Sequence, residues 1–236
     1  LISILIKFFT SLIMFSIIKN NNLVINLKSK ILLKNLKKNS KWITLNGVLI
    51  QFYDLFDKYL IKIFIGPIAL ATYSIPQQLT GKLSVISKSF SAFLLPELSK
   101  KKFNNYSFEF SLQIFIKIIP LFIFMLIPLY PVILQLWLGA SYNESIHTLT
   151  KIFSLSVIFS CASHILITKF EATKTLSQNL KIEFFLLPIF LISLYYLTSR
   201  DFSLILVSIL ILVKEVILFY LRPVSYTHLR AHETRH

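Results

Sequence analysis

Residues 42–64 read WITLNGVLIQFYDLFDKYLIKIF, and the reading of this stretch decides the fold. As a helix it spans about 34 Å at 1.5 Å per residue, enough to cross the hydrocarbon core of a bilayer. Asp54, Asp57 and Lys58 nevertheless sit in its middle. On the insertion scale each central charge costs about 2.5–3.5 kcal/mol, so three cost about 8–10 kcal/mol. The Leu, Ile, Val and Phe residues of the stretch return only about 4–7 kcal/mol on that scale. Lipid exposure of the charges therefore loses, and they must face protein or water. Their spacing agrees: at 100° per residue Asn46, Gly47, Gln51, Asp54, Asp57, Lys58 and Lys62 fall within an arc of about 160°. Asp54 and Lys58 form an i,i+4 pair in the favourable acid-first order. That pair either neutralises itself inside a bundle or lines a cavity. The second reading is preferred, because ionisable residues at membrane depth usually serve function.

The next apolar stretch, 70–95, carries a second polar stripe. Tyr73, Gln77, Thr80, Gly81, Ser84, Lys88 and Ser91 share an arc of about 100°. Packing of small residues explains Gly81 and Ser84 but not Lys88. Pro76 is expected to kink this helix and free a carbonyl. The candidate substrate path is therefore Gln51, Asp54, Asp57, Lys58 and Lys62 on one helix, with Tyr73, Gln77, Thr80, Ser84 and Lys88 on the next. Asp54 and Asp57 are also the candidate ion-coupling acids.

Composition extends the same reading to the whole chain. Of 236 residues 55% are hydrophobic and 15% charged, where soluble domains carry about 25% charged. One cysteine, Cys161, excludes a disulfide scaffold. Seven segments are expected to span: 1–18, 42–64, 70–95, 111–138, 147–168, 182–198 and 203–221. The fold class is thus an all-α polytopic bundle. Gly66-Pro67, Pro96 and Gly139 punctuate the segment ends.

The net charge of +15 follows membrane topology. Lys19, Lys28, Lys30, Lys34, Lys37, Lys38 and Lys41 follow the first segment, Lys100–Lys102 the third, and Lys169, Lys174 and Lys181 flank the loop after the fifth. The alternate loops 65–69 and 140–146 contain no Lys or Arg, and 199–202 contains only Arg200. The lysine side is assigned to the cytoplasm. Residues 21–40 read either as a basic amphipathic helix on the inner leaflet or as a solvated connector. No nucleic-acid partner is expected, because the aromatics lie within apolar runs and not among the basic clusters.

Other chemistries find no motif. The only Gly-Lys step, Gly81-Lys82, would need the first glycine of a phosphate loop where Pro76 stands. Cys161 and His164 could share a helix face, but two ligands in an apolar span read as packing. Neither metal nor cofactor is expected, and no serine elbow or histidine–acid catalytic set occurs in a loop. Lys214 and Glu215 are adjacent and expected to point apart, with either able to face a cavity. Glu183 is expected to form a surface pair with Lys181. The chain opens at Leu1 inside an apolar run, which reads as a truncated start. From Pro223 it changes to PVSYTHLRAHETRH, which resembles translated sequencing-adapter read-through and is set aside as a non-native tail.

W42-x14-D57-K58, I65-G66, Y73-S74-I75-P76 and F93-L94-L95-P96-E97-L98-S99 together resemble the polysaccharide-biosynthesis flippases. These are the lipid-linked O-antigen and capsule repeat-unit translocases of the multidrug/oligosaccharidyl-lipid/polysaccharide exporter superfamily. The resemblance covers about residues 1–221 and is strongest over 42–100. It implies that 1–18 is the last helix of an N-terminal lobe, 19–41 a cytoplasmic inter-lobe linker and 42–222 a six-helix C-terminal lobe. It also implies a non-enzymatic carrier in the bacterial inner membrane. The carrier would move an undecaprenyl-diphosphate-linked oligosaccharide by alternating access, alongside other glycan-assembly membrane proteins. Where family members often have Arg after the aspartate, this chain has Lys58, a point charge without bidentate geometry. A drug or cation exporter and a peptidoglycan-precursor flippase are the near alternatives. The first should favour an acidic cavity, whereas segments 42–64 and 70–95 hold four lysines against two aspartates. A glycan polymerase or acyltransferase is the alternative from another class, and would need sizeable catalytic loops.

Overall fold

A computed structural model describes residues 30–99, 105–200 and 203–233, with side chains over 40–99, 108–110, 112–140, 142–200 and 203–223. Segment 1–18, the linker residues 19–29 and Lys100–Lys102 lie outside the described residues. The chain divides into two units, Leu1–Lys41 and Trp42–His236, and the architecture below is that of the second.

The described residues are helical, with no strand among them. In order they form α1 (Lys30–Phe64), α2 (Pro67–Gly81), α3 (Ser84–Leu98), α4 (Asn105–Leu126), α5 (Tyr130–Leu138), α6 (Glu144–Ala172), α7 (Leu176–Ser199) and α8 (Leu204–Glu233). Four helical stretches are long and apolar enough to cross a membrane: Phe108–Leu138, Glu144–Ala172, Leu176–Ser199 and Leu204–Pro223. The first of these combines α4 and α5 across a 3-10 turn, Ile127–Leu129, where Pro128 and Pro131 crowd the backbone. α1 carries too many charges to join the four. α2 and α3, 15 residues each, are too short singly.

The turns are set locally. α1 ends in a tight hairpin at Gly66, whose φ of 113° and ψ of 174° suit only glycine, and Pro67 then starts α2 with its fixed φ. Gly139, at φ 55°, caps α5. Asn143 caps α6 by accepting a 2.9 Å bond from the Ile146 N–H, with Glu144 in the first turn and Lys169 in the last to match the helix dipole. The interruption between α2 and α3 falls at Lys82–Leu83, whereas Pro76 lies inside α2. There the Leu83 N–H bonds the Thr80 carbonyl at 2.9 Å, tightening the turn, and Gly81 supplies little helix preference. The helix thus runs on through Pro76, despite the bond its missing N–H cannot make, and breaks at Lys82–Leu83. At the far end α8 continues through Pro223 to Glu233.

α6 is the hub. It packs against α2, α3, α4, α7 and α8, and it buries the largest share of its length of the four long apolar helices. One cluster gathers Tyr53, Ile61, Tyr73, Phe153, Leu194 and Val207. Another gathers Leu94, Phe115, Ile119, Cys161 and Ile165. The outer surface is the reverse of a soluble protein's. On α1, Val48, Phe52, Leu55, Tyr59 and Ile63 are exposed, Leu55 at 63%, while Asn46, Tyr53 and Asp57 are buried. At 100° per residue the exposed set spans about 80°, opposite the buried set. Such a continuous apolar exterior would not persist in water, and it is the surface of a membrane protein.

Candidate functional site

α1 presents three faces. One is the apolar exterior. A second, carrying Asn46, Tyr53 and Asp57, packs inward. A third, carrying Asp54 and Lys58, borders a cavity of about 320 Å³. The walls of that cavity come from α1, α2, α3, α6, α7 and α8.

Of the ten residues singled out on the first two helices, Asp54, Asp57, Lys58, Gln77, Thr80, Ser84 and Lys88 line the cavity. Gln51, Lys62 and Tyr73 do not. Gln51 and Lys62 are exposed at the rim of the polar arc, and Tyr73 is buried behind Asp57. The Tyr73 hydroxyl donates to Asp57 Oδ2 at 2.6 Å and the Gln77 side-chain amide donates to the same oxygen at 3.1 Å. Oδ1 accepts the Lys58 backbone N–H at 2.6 Å. Asp57, only 1% exposed, is therefore held by neutral donors across the α1–α2 hairpin. Lys58 does not bridge to the Asp54 carboxylate; its ammonium donates to the Asp54 backbone carbonyl at 2.9 Å. Of the two readings of this pair, the self-neutralising one gives way to a backbone contact, and both side chains line the cavity as the preferred reading expected.

The other walls hold residues that sequence reading placed elsewhere. Glu183, expected on the surface beside Lys181, is 2% exposed. Its Oε1 accepts from Arg222 Nη2 at 2.8 Å and from Asn179 Nδ2 at 3.0 Å. Arg222 Nε donates to Asn179 Oδ1 at 2.8 Å, and Asn179 Nδ2 also reaches Asn46 Oδ1 at 3.2 Å. The Tyr53 hydroxyl donates to the Glu183 carbonyl at 3.1 Å. This network ties the middle of α1 and the first turns of α7 to Arg222 of α8. Residues 181 and 183 lie about 200° apart on a helix, so Lys181 outside puts Glu183 inside. The i,i+4 repeat of Asn179 and Glu183 was the available signal. Lys214 and Glu215, expected to diverge, instead meet at 3.0 Å, because two long side chains on adjacent positions can fold over one another. Lys214 Nζ also lies 4.5 Å from the centre of the Tyr53 ring, a cation–π distance.

The lining therefore holds four basic residues, Lys58, Lys88, Lys214 and Arg222, and four acidic ones, Asp54, Asp57, Glu183 and Glu215. The lysine excess of the first two spans is balanced by the other helices. Two of the cations are committed to ion pairs, Arg222 with Glu183 and Lys214 with Glu215. Lys58 and Lys88 are the lining cations without a carboxylate partner among the described residues. α6 adds Ser156, Ser160, Ser163 and His164. The result is a chamber of hydroxyls, amides and fixed charges within an apolar shell. Its size and polar lining suit a polar ligand. The chain matches no family model, no curated protein and no solved structure.

Proposed function

We propose that the chain is a lobe of a flippase that carries a polyprenyl-diphosphate-linked oligosaccharide from the cytoplasmic to the outer leaflet of the bacterial inner membrane. In this reading about seven spans cross the bilayer, with the lysine-rich loops inside. The observation that carries it is the cavity: polar side chains from six helices converge inside a bundle whose exterior is apolar. Lys58 and Lys88, which make no ion pair among the described residues, supply positive charge for a diphosphate, and the hydroxyls and amides supply contacts for sugar. Asp54, facing the cavity, is the better coupling acid of the pair Asp54 and Asp57, because Asp57 is occupied by Tyr73 and Gln77. The even charge balance of the lining removes the lysine excess that counted against a drug or cation exporter, which stands as the second reading.

The test is translocation in proteoliposomes holding the chain and a fluorescent polyprenyl-diphosphate oligosaccharide, read by protection from an external glycosidase. Lys58→Ala and Lys88→Ala should each abolish transfer while insertion and abundance stay near normal. Asp54→Leu combined with Lys58→Leu should also lose transfer. Full activity in that double variant, or no transfer by the unaltered chain, would end the reading.

A further inference from the structure

We propose that the face of α6 bearing Ser156, Ser160 and Ser163 is a carbohydrate-binding strip that grips the neutral, hydroxyl-rich part of the cavity's ligand. The inference rests on the glycan-lipid reading above and adds which wall meets the sugar. All three serines line the cavity. At 100° per residue they share an arc of about 60° and run about 10 Å along the helix. That row is long enough for several hydroxyl contacts in series.

Their hydroxyls are uncommitted, unlike those on the opposite wall. Thr80 Oγ1 donates to the Pro76 carbonyl at 2.9 Å and Ser84 Oγ to the Gly81 carbonyl at 2.7 Å, so both are turned back on the backbone of the preceding turn. Ser156, Ser160 and Ser163 make no such bond among the described residues. Ser163 is 2% exposed and its Oγ has no partner. Two further buried oxygens in the lining, Gln77 Oε1 and Glu183 Oε2, also lack partners. Both are acceptors, so what satisfies them must donate. A sugar hydroxyl donates and accepts; an ionised phosphate only accepts.

Charge points the same way. Beside the strip, Arg222 is bound to Glu183 and Lys214 to Glu215, so α7 and α8 offer no surplus of positive charge to an anion. Lys58 and Lys88, the lining cations outside these ion pairs, belong to α1 and α3. Phe153, one turn before Ser156, and Phe190 also border the cavity, adding apolar wall beside the hydroxyls for the C–H groups of a sugar. A volume of about 320 Å³ is at the small end of ligand sites and suits a short saccharide, not a polyprenyl chain.

The experiment is saturation-transfer NMR titration of maltotriose, and separately of inorganic pyrophosphate, against the full chain in lipid nanodiscs. Ser160→Ala/Ser163→Ala should weaken maltotriose about tenfold or more and leave pyrophosphate unchanged. Ser160→Thr/Ser163→Thr, which keeps both hydroxyls, should retain maltotriose binding and shows that a loss is not misfolding. Equal maltotriose binding by the alanine variant would overturn the strip while leaving the glycan-lipid reading intact. Absence of maltotriose binding by the unaltered chain would overturn the strip as well. The glycan-lipid reading would fall with it only if the proteoliposomes also showed no transfer.

Discussion

Replacing Arg222 alone with Met should be among the most damaging single changes in the bundle. Its guanidinium is 3% exposed and makes two 2.8 Å bonds, to Glu183 Oε1 and Asn179 Oδ1. Without it Glu183 keeps only the Asn179 amide, and an unpaired carboxylate remains buried. Breaking a buried pair from one side costs about 3–5 kcal/mol. For a chain of this size that lowers the unfolding midpoint by about 6–20 °C, at about 2–4 °C per kcal/mol. Glu183→Leu should cost a similar amount by stranding the guanidinium. The double variant Glu183→Leu/Arg222→Met removes both charges and orphans only neutral groups, the Asn179 oxygen and one of its amide hydrogens, at about 1–3 kcal/mol each at most. The double should therefore be more stable than either single, a strongly non-additive cycle. Thermal unfolding of the purified chain in detergent, followed by size-exclusion fluorescence, measures all four species. Single-variant losses below about 1 kcal/mol, or singles that add to the double, would refute the buried network.

Two further outcomes follow from the turns and the helix order. Gly66→Ala should destabilise by about 1–3 kcal/mol, since its backbone conformation excludes a side chain, whereas Gly47→Ala, where a Cβ would meet nothing within 4 Å, should be neutral or stabilising by up to about 1 kcal/mol; unfolding midpoints of the two variants decide it, and equal behaviour would contradict the hairpin geometry. In a Cys161→Ala background, an impermeant maleimide added to intact cells should label a cysteine at Ala140 but not one at Ser99. The opposite pattern would overturn the lysine-based orientation.

How far the sequence could be read depended on whether a residue's surroundings came from its own helix. The polar arc of α1 was legible because three central charges cannot be reconciled with lipid, whatever the neighbouring helices do. Gly66-Pro67 and Gly139 were legible for a similar reason: the turn chemistry is local. Glu183 was misread because its partner, Arg222, is 39 positions away on another helix, and only packing decides that the two ends turn toward each other. Spacing on one helix likewise suggested that Lys58 meets the Asp54 carboxylate, but the rotamer takes the ammonium to a backbone oxygen. The break at Lys82–Leu83 was masked by Pro76, the stronger local signal, whose lost bond the surrounding helix accommodates. The serines of α6 gave no sequence signal, since a serine bonded to its own helix and one facing a cavity have the same spacing.

The account depends on the bundle being apolar outside and wet inside. Nitroxide labels at Leu55→Cys and Ser160→Cys, in a Cys161→Ala background in nanodiscs, test this through collision with oxygen, which partitions into lipid, and with a neutral nickel chelate, which stays in water. The label at Leu55 should collide mainly with oxygen and the label at Ser160 mainly with the chelate. Chelate access at Leu55 together with oxygen access at Ser160 would place water outside and lipid inside, and would contradict the account.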